Sequence, residues 1–213
     1  MIKIKNFIYG VLPILITGMI FTGCSKEISQ NKEANVKNDT VNVEETTKEN
    51  NFTENIEKIA KENNFTEKYE DGKGMSFSYP STWTQSDKID GVALFYLDDL
   101  GTNVNIVTAP APAIGIKDGD DKKTLEETIN SIKEIYEVKE VETDKIEIND
   151  YTVNLFDAKI NTSGVDLNTI QYQIFENDTF YAITLTSNII DGEVDEDIVK
   201  EFKAVMKTLE FSK

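Results

Sequence analysis

The side chains able to do chemistry in this sequence are few in kind. There is one thiol, Cys24, no histidine and no arginine, set against 22 lysines and 39 acidic residues. Without imidazole, general acid–base work near neutral pH falls to carboxylates. No Gly-x-Ser-x-Gly elbow, no phosphate-cradling glycine loop ending in Lys-Ser/Thr and no zinc-ligand spacing occurs. Two carboxylates about 5–9.5 Å apart could hydrolyse a glycosidic bond, but with 39 acids such pairs arise by chance. The chain is therefore expected not to be an enzyme, and to have no cofactor and no catalytic or metal-binding residue.

Three acidic clusters carry alternative readings. Asp118-Gly119-Asp120-Asp121 offers carboxylate oxygens to Ca²⁺, yet lacks the alternating acids, the sixth-position Gly and the twelfth-position Glu of an EF-hand loop, so a solvated loop is the better account. The acids from Asp191 to Asp197 suit a helix N-terminus, where negative charge meets the positive end of the dipole. Asp98-Asp99 suits a turn. Tyr79 and Trp83 could line a groove, but a lone Trp after a strand is better explained as a core anchor.

Cys24 is different because its surroundings are specific. Met1 to Lys5 is a short positive stretch, Phe7 to Phe21 is uncharged and apolar, and Thr22-Gly23 are small; this is the layout of a secretory signal peptide. The apolar run is short for a membrane span, which takes about 20 residues. Phe21-Thr22-Gly23-Cys24 resembles a bacterial lipobox, with Phe21 in place of the usual leucine. The resemblance implies cleavage between Gly23 and Cys24 and a thioether-linked diacylglycerol on Cys24. Two acyl chains suffice for stable anchoring. Removal of Lys3 and Lys5 takes the net charge from −17 to −19. So acidic a chain repels nucleic acid and anionic lipid, so its membrane attachment must come from the lipid. With no second cysteine, no internal disulfide can hold the fold.

The elements that position these residues follow from texture. Residues 1–23 read as signal peptide and 24–65 as lipidated N-terminus and tether. Ser25 to Asn51 lacks apolar periodicity and cannot bury enough surface to offset its ordering entropy. A hexapeptide, Glu49-Asn-Asn-Phe-Thr-Glu54, recurs as Glu62-Asn-Asn-Phe-Thr-Glu67; Phe52, Ile56, Ile59 and Ala60 between them predict a short helix with a weak apolar stripe. Residues 66–213 read as one domain. Strands are predicted at Met75–Tyr79, Val92–Leu97 and Asn103–Ala109. A helix follows, opened by a Thr124/Glu127 capping box and carrying Leu125, Ile129, Ile132 and Tyr136 on one face. Four more strands, Val141–Ile148, Tyr151–Ile160, Leu167–Phe175 and Phe180–Thr186, are joined by turns at Asn149-Asp150, Thr162-Ser-Gly164 and Asn177-Asp178. A closing helix is predicted from Val194 to Thr208. Short turns imply an antiparallel sheet, and two amphipathic helices each need a face to cover, which gives an α+β domain.

Phe77-Ser-Tyr79-Pro80-Ser-Thr-Trp83, the hairpin Val92–Phe95 with Asn103–Val107, the hairpin Gln171–Phe175 with Thr179–Thr184, and the final helix with Phe202 and Thr208-Leu-Glu-Phe211 together resemble the PsbP/Mog1-like family. The resemblance implies an α/β/α sandwich around a mostly antiparallel sheet, in a family of photosystem accessory proteins and small binding adaptors. Metal-binding histidines known in some members have no counterpart in this chain. The expected function is a membrane-anchored, non-enzymatic binding or accessory module on the outer face of the cell membrane. Its partner would be an envelope protein or a small ligand, not nucleic acid. The alternatives are a carboxylate-based hydrolase of an envelope polymer, marked by a pocket with two inward carboxylates, and a structural or stress lipoprotein with no defined ligand.

Overall fold

A computed structural model describes residues 55–86, 92–111 and 121–212, with the side chains of 121–125 and 127 left aside. Gly23, Cys24, the signal segment and Ser25 to Asn51 lie outside the described residues, as do Asp118, Gly119 and Asp120.

Helix α1 covers 55–62. The second hexapeptide copy ends it: Asn64 takes φ 57° and the Phe65 N–H donates to the Ala60 carbonyl at 2.8 Å, a Schellman-type closure. That turn delivers Phe65 to the core, and Ile56 is itself buried, so the helix with the weak stripe packs onto the domain.

Three short strands form a small antiparallel sheet in the order β1-β2-β11, with β1 Glu67–Glu70, β2 Met75–Tyr79 and β11 Glu210–Phe211. The larger sheet runs β3-β4-β5-β9-β8-β7-β6: β3 Thr84–Gln85, β4 Val92–Tyr96, β5 Asn103–Pro110, β6 Glu137–Ile148, β7 Tyr151–Thr162, β8 Val165–Glu176 and β9 Thr179–Ile190. β10, Glu193–Val194, pairs with the end of β9. Every pairing is antiparallel. The strand predicted at Met75–Tyr79 thus belongs to a second sheet. Its partner β11 is two residues long and distant in sequence, too little for a periodicity to register.

Four two-residue turns join β6 through β10. Asn149-Asp150, Ser163-Gly164, Asn177-Asp178 and Asp191-Gly192 all have positive φ at both positions, the backbone sign that matches strand twist in tight hairpins. The first three were expected as turns. β6 begins four residues before the predicted Val141, and its register against β7 shifts between Val138 and Glu140, an irregularity that interrupts simple alternation.

The two long helices cover opposite faces of the large sheet, an α+β architecture. α2, Asp121–Ile135, starts three residues before the expected opening, which places Thr124 inside the helix instead of at its cap. Ile132 packs there against Phe156, Ala158 and Ile160, with Ile129 and Tyr136 beside them. Much of this face is polar: Gln173 Nε2 donates to Thr128 Oγ1 of α2 at 2.9 Å and to Gln171 Oε1 at 2.8 Å, and Gln171 Nε2 donates to Thr184 Oγ1.

The other face carries the main core. α3, Glu196–Met206, buries Val199, Phe202, Val205 and Met206 against Ile170, Tyr172, Ile174, Tyr181, Ile183 and Leu185, and the small sheet extends the layer with Tyr69, Phe77 and Tyr79 around Phe95. Trp83 is an anchor of this core, stacked on Tyr79, with Nε1–H donating to Glu201 Oε1 of α3 at 2.7 Å. α3 is shorter than predicted. Asp195 caps it by accepting from the Asp197 and Ile198 N–H groups, which leaves Val194 in β10. After Met206 the chain turns, and Thr208 Oγ1 donates to Val205 O while accepting from Ser78 N–H, tying the helix end to β2.

Candidate functional site

β6 to β9 are 12 residues each, about 40 Å at 3.3 Å per residue. α3 has 11 residues and spans about 16 Å at 1.5 Å per residue. The helix cannot cover the strands that run beneath it. Beyond its N-terminal half the sheet face is left open as a groove of about 560 Å³, within the size range of small-ligand sites.

The residues on the α3 side of the sheet change character along each strand, and those at the far ends of β7 and β8 line the groove. On β7 the α3 side reads Val153, Leu155, then Asp157 and Lys159; on β8 Ile174, Tyr172, Ile170, then Asn168; on β9 Tyr181, Ile183, Leu185, then Ser187. Ile170, Val199 and Val194 leave an apolar strip in the groove, and Glu193 of β10 and Glu196 and Lys203 of α3 form its rim. β6 adds Glu140 and Glu142, which stand opposite Lys159 and Asp157 in register.

The charges are not equivalent. Glu140 accepts from Lys159 at 2.7 Å, and that hydrogen bond holds the ammonium above its ordinary pKa. Nearby, Lys139 donates to Asp166 at 2.7 Å and Asn161 donates to the same carboxylate. These bonds hold Asp166 below the usual carboxylate range. Asp157 is the opposite case. Burial pushes its carboxyl up, and Glu142 and Glu196 push the same way against the pull of Lys203 and Lys159. Among the described residues no hydrogen-bond donor contributes to its stabilisation. On the neighbouring strands, Asn168 is 4% exposed and Ser187 2%. They are direct cross-strand partners, and the Ser187 hydroxyl is buried without a hydrogen-bond partner among the described residues. Ser187 is not among the residues lining the groove, and Asp71, Gln85, Thr169, Gln173 and Thr186 carry buried side-chain atoms in the same condition elsewhere in the fold.

Of the residues singled out from sequence, Glu193 and Glu196 of the Asp191–Asp197 cluster reach the groove, and the other described ones lie outside it. Asp98 Oδ1 accepts from the Leu100 and Thr102 N–H groups and shapes its own turn. Asp195, Glu196 and Asp197 sit at the α3 N-terminus as expected, and Glu196 also lines the groove; Asp191 lies in the β9–β10 turn. Asp121 opens α2. Asp157 and Asn168 were missed, although their signal is present: each puts a polar side chain on a strand face that is otherwise apolar at alternate positions. Among the described residues no group of three or more His, Cys, Asp or Glu side chains is placed to hold a metal ion, and no helix is long and apolar enough to cross a membrane.

No family model matches the sequence, and no curated protein matches it. Solved structures of similar shape include a protein from Bacteroides thetaiotaomicron at 19% identity and TM-score 0.49, where 68% of this chain matches 48% of that one, so this chain spans about half its length. They include cyanobacterial PsbP (CyanoP) from Synechocystis at 15% identity and TM-score 0.48, covering 68% of this chain and 92% of that one. A mutant of Mog1 shares 10% identity at TM-score 0.48, over 66% and 92%. The likeness to PsbP and Mog1 expected from sequence is found here as a similarity of shape at TM-scores below 0.5. At these scores it lends this chain no function.

Proposed function

We propose that this protein is an exported lipoprotein, held through Cys24 on the outer face of the cell membrane, whose folded domain binds an envelope protein or a small ligand without transforming it. The observation that carries the reading is the groove beside α3, where polar side chains from β6, β7, β8, β10 and α3 converge over an apolar strip. An open groove with orienting polar groups on a rigid sheet is what a binding site requires. The acidic chain offers no basic surface to hold it on anionic lipid, so Cys24 carries attachment alone. Cys24→Ala should move the protein from the membrane fraction to the medium, and crosslinking on intact membranes should give a partner or ligand adduct that the released variant loses. Retention of Cys24→Ala on the membrane would refute the anchor, and absence of any reproducible adduct with wild type would refute the binding role.

A hydrolase of an envelope polymer has one observation in its favour. Asp157 and Glu142 face each other across β7 and β6, and Asp157 has a raised pKa, the property of a general acid. Under that reading Asp157→Asn should abolish release of soluble fragments from purified envelope polymer by at least about a hundredfold; no release by wild type would discard it.

A further inference from the structure

Apolar side chains left in water are confined to one end of this domain. Among the described residues the exposed large hydrophobic side chains are Tyr96, Leu100, Ile135, Val165 and Ile190. All five lie at the end of the large sheet where β4, β7 and β9 finish and β5, β6 and β8 start. They also share a side. Val165 alternates with Leu167, which packs into the cluster beneath α2, and Ile190 alternates with Asn188, the cross-strand partner of Leu167. Tyr96 stands opposite Asn103, itself opposite Thr186, two positions before Asn188. The Asn188 amide donates to the Leu100 carbonyl at 2.9 Å, which draws the β4–β5 turn towards Ile190. Ile135 ends α2 just before β6. From β5 to β6 is four strand spacings, about 19 Å at 4.8 Å each. Single exposed aliphatic side chains are ordinary, whereas a row of them across one end marks a contact surface.

We propose that this ridge docks a protein partner through a helix of about 13 residues, the length that spans it at 1.5 Å per residue, with an apolar stripe between lysine or arginine flanks. The charge around the ridge selects that partner. Asp99, Glu134, Glu137 and Asp191 are exposed beside it. Of the described lysines nearby, Lys139 is bonded to Asp166 and Lys133 lies in the last turn of α2. An acidic rim repels anionic headgroups, which makes the membrane a poor occupant. A second copy is no better, because a two-fold contact sets the same patch against itself, acid against acid. A basic rim around an apolar centre complements both features and steers the encounter. The ridge lies on the α2 side and the groove lies beside α3, so this surface is separate from the groove.

The probe is a designed helical peptide of about 14 residues with a leucine stripe flanked by lysines. The full chain in phosphatidylcholine nanodiscs is titrated with it by fluorescence anisotropy. Saturable one-to-one binding is the expected result, absent for a scrambled peptide that loses the stripe and for a twin with glutamate in place of lysine. Combining Leu100→Ser with Ile190→Ser, both exposed positions, should weaken binding at least about tenfold, and Val165→Ser alone about threefold. Lys203→Trp, in the groove, should leave it unchanged. No binding, equal binding of either control peptide, undiminished binding by the serine variants, or equal loss in Lys203→Trp would overturn the proposal. Benzoylphenylalanine in place of Ile190 reports the occupant on illumination. An adduct with the peptide is expected, and an adduct with lipid or with a second copy in its place would overturn the choice of partner. No step uses the groove, so failure here leaves the groove as it stands.

Discussion

Along β7, β8 and β9 the same sheet face is built in two ways. Under the C-terminal half of α3 it is Tyr172, Ile174, Tyr181 and Ile183 sealed by Phe202, Val205 and Met206. A few residues further along the same strands it is Asp157 and Asn168, which line the groove beside Glu196 and Lys203, and the buried Ser187 next to Asn168. The backbone pairing continues through both halves, so the sheet itself is not weaker at the far end. The difference lies in what each half is free to do. The near half gains stability from burial and has no spare polar group; the far half leaves a hydroxyl without a partner and a carboxylate in an unfavourable place. Arrangements that cost stability without an internal return mark functional sites.

Substitutions can break that contrast or sharpen it. Phe202 is fully buried and packs edge-on to Tyr172, and Phe202→Ala should cost about 3–5 kcal/mol in denaturant unfolding. If it costs no more than a surface change, the near half is not the core. Trp83→Phe keeps most of the packing but removes the donor to Glu201; a loss of about 1.5–3 kcal/mol is expected for a hydrogen bond to a charged group. Asn168→Leu reverses the logic of the far half. Extending the apolar face should raise stability by about 1 kcal/mol, read by the same unfolding curves, while weakening the membrane crosslink, the trade-off expected of a site kept for use. A destabilised Asn168→Leu would mean the amide holds the fold.

The smallest effect is electrostatic. The folded state holds the Asp157 carboxyl above its ordinary 3.8, so its ionisation opposes folding. That burden is absent below pH 3.8 and grows as pH rises through the folded-state value. Asp157→Asn removes it. Lys203 and Glu196 on α3, Glu142 on β6 and Lys159 on β7 all face this group, so the net gain should be under about 1 kcal/mol. It should be present at pH 7 and gone below pH 3.8 in melting experiments. A loss of stability at pH 7 would show that the lysines outweigh burial.

The larger features were legible because they are local. Asn149-Asp150 and Asn177-Asp178 announce turns by residue type, and Ile198, Phe202, Val205 and Leu209 announce a helix by spacing. What escaped depends on distance. β11 pairs Glu210 with Ser76, and nothing near either residue says so. β10 escaped because Val194 continues the apolar spacing of α3, and only the Asp195 cap decides where the helix starts. The groove was hidden for a related reason. Asp157 and Asn168 read singly as ordinary polar residues, and only the cross-strand register sets them on the buried side.

The four tight turns between β6 and β10 have a kinetic consequence. An unfolded chain must find its strand pairings before it can bury its core. Here five consecutive strands can zip as neighbouring hairpins, each closed by two residues already suited to the turn, and local pairings of this kind form in about 1–10 μs. Only then need the ends meet, with Ser78 finding Thr208 across 130 residues. Docking of the small sheet onto α3 is therefore expected to be the late event, because its contacts join the most distant parts of the described chain.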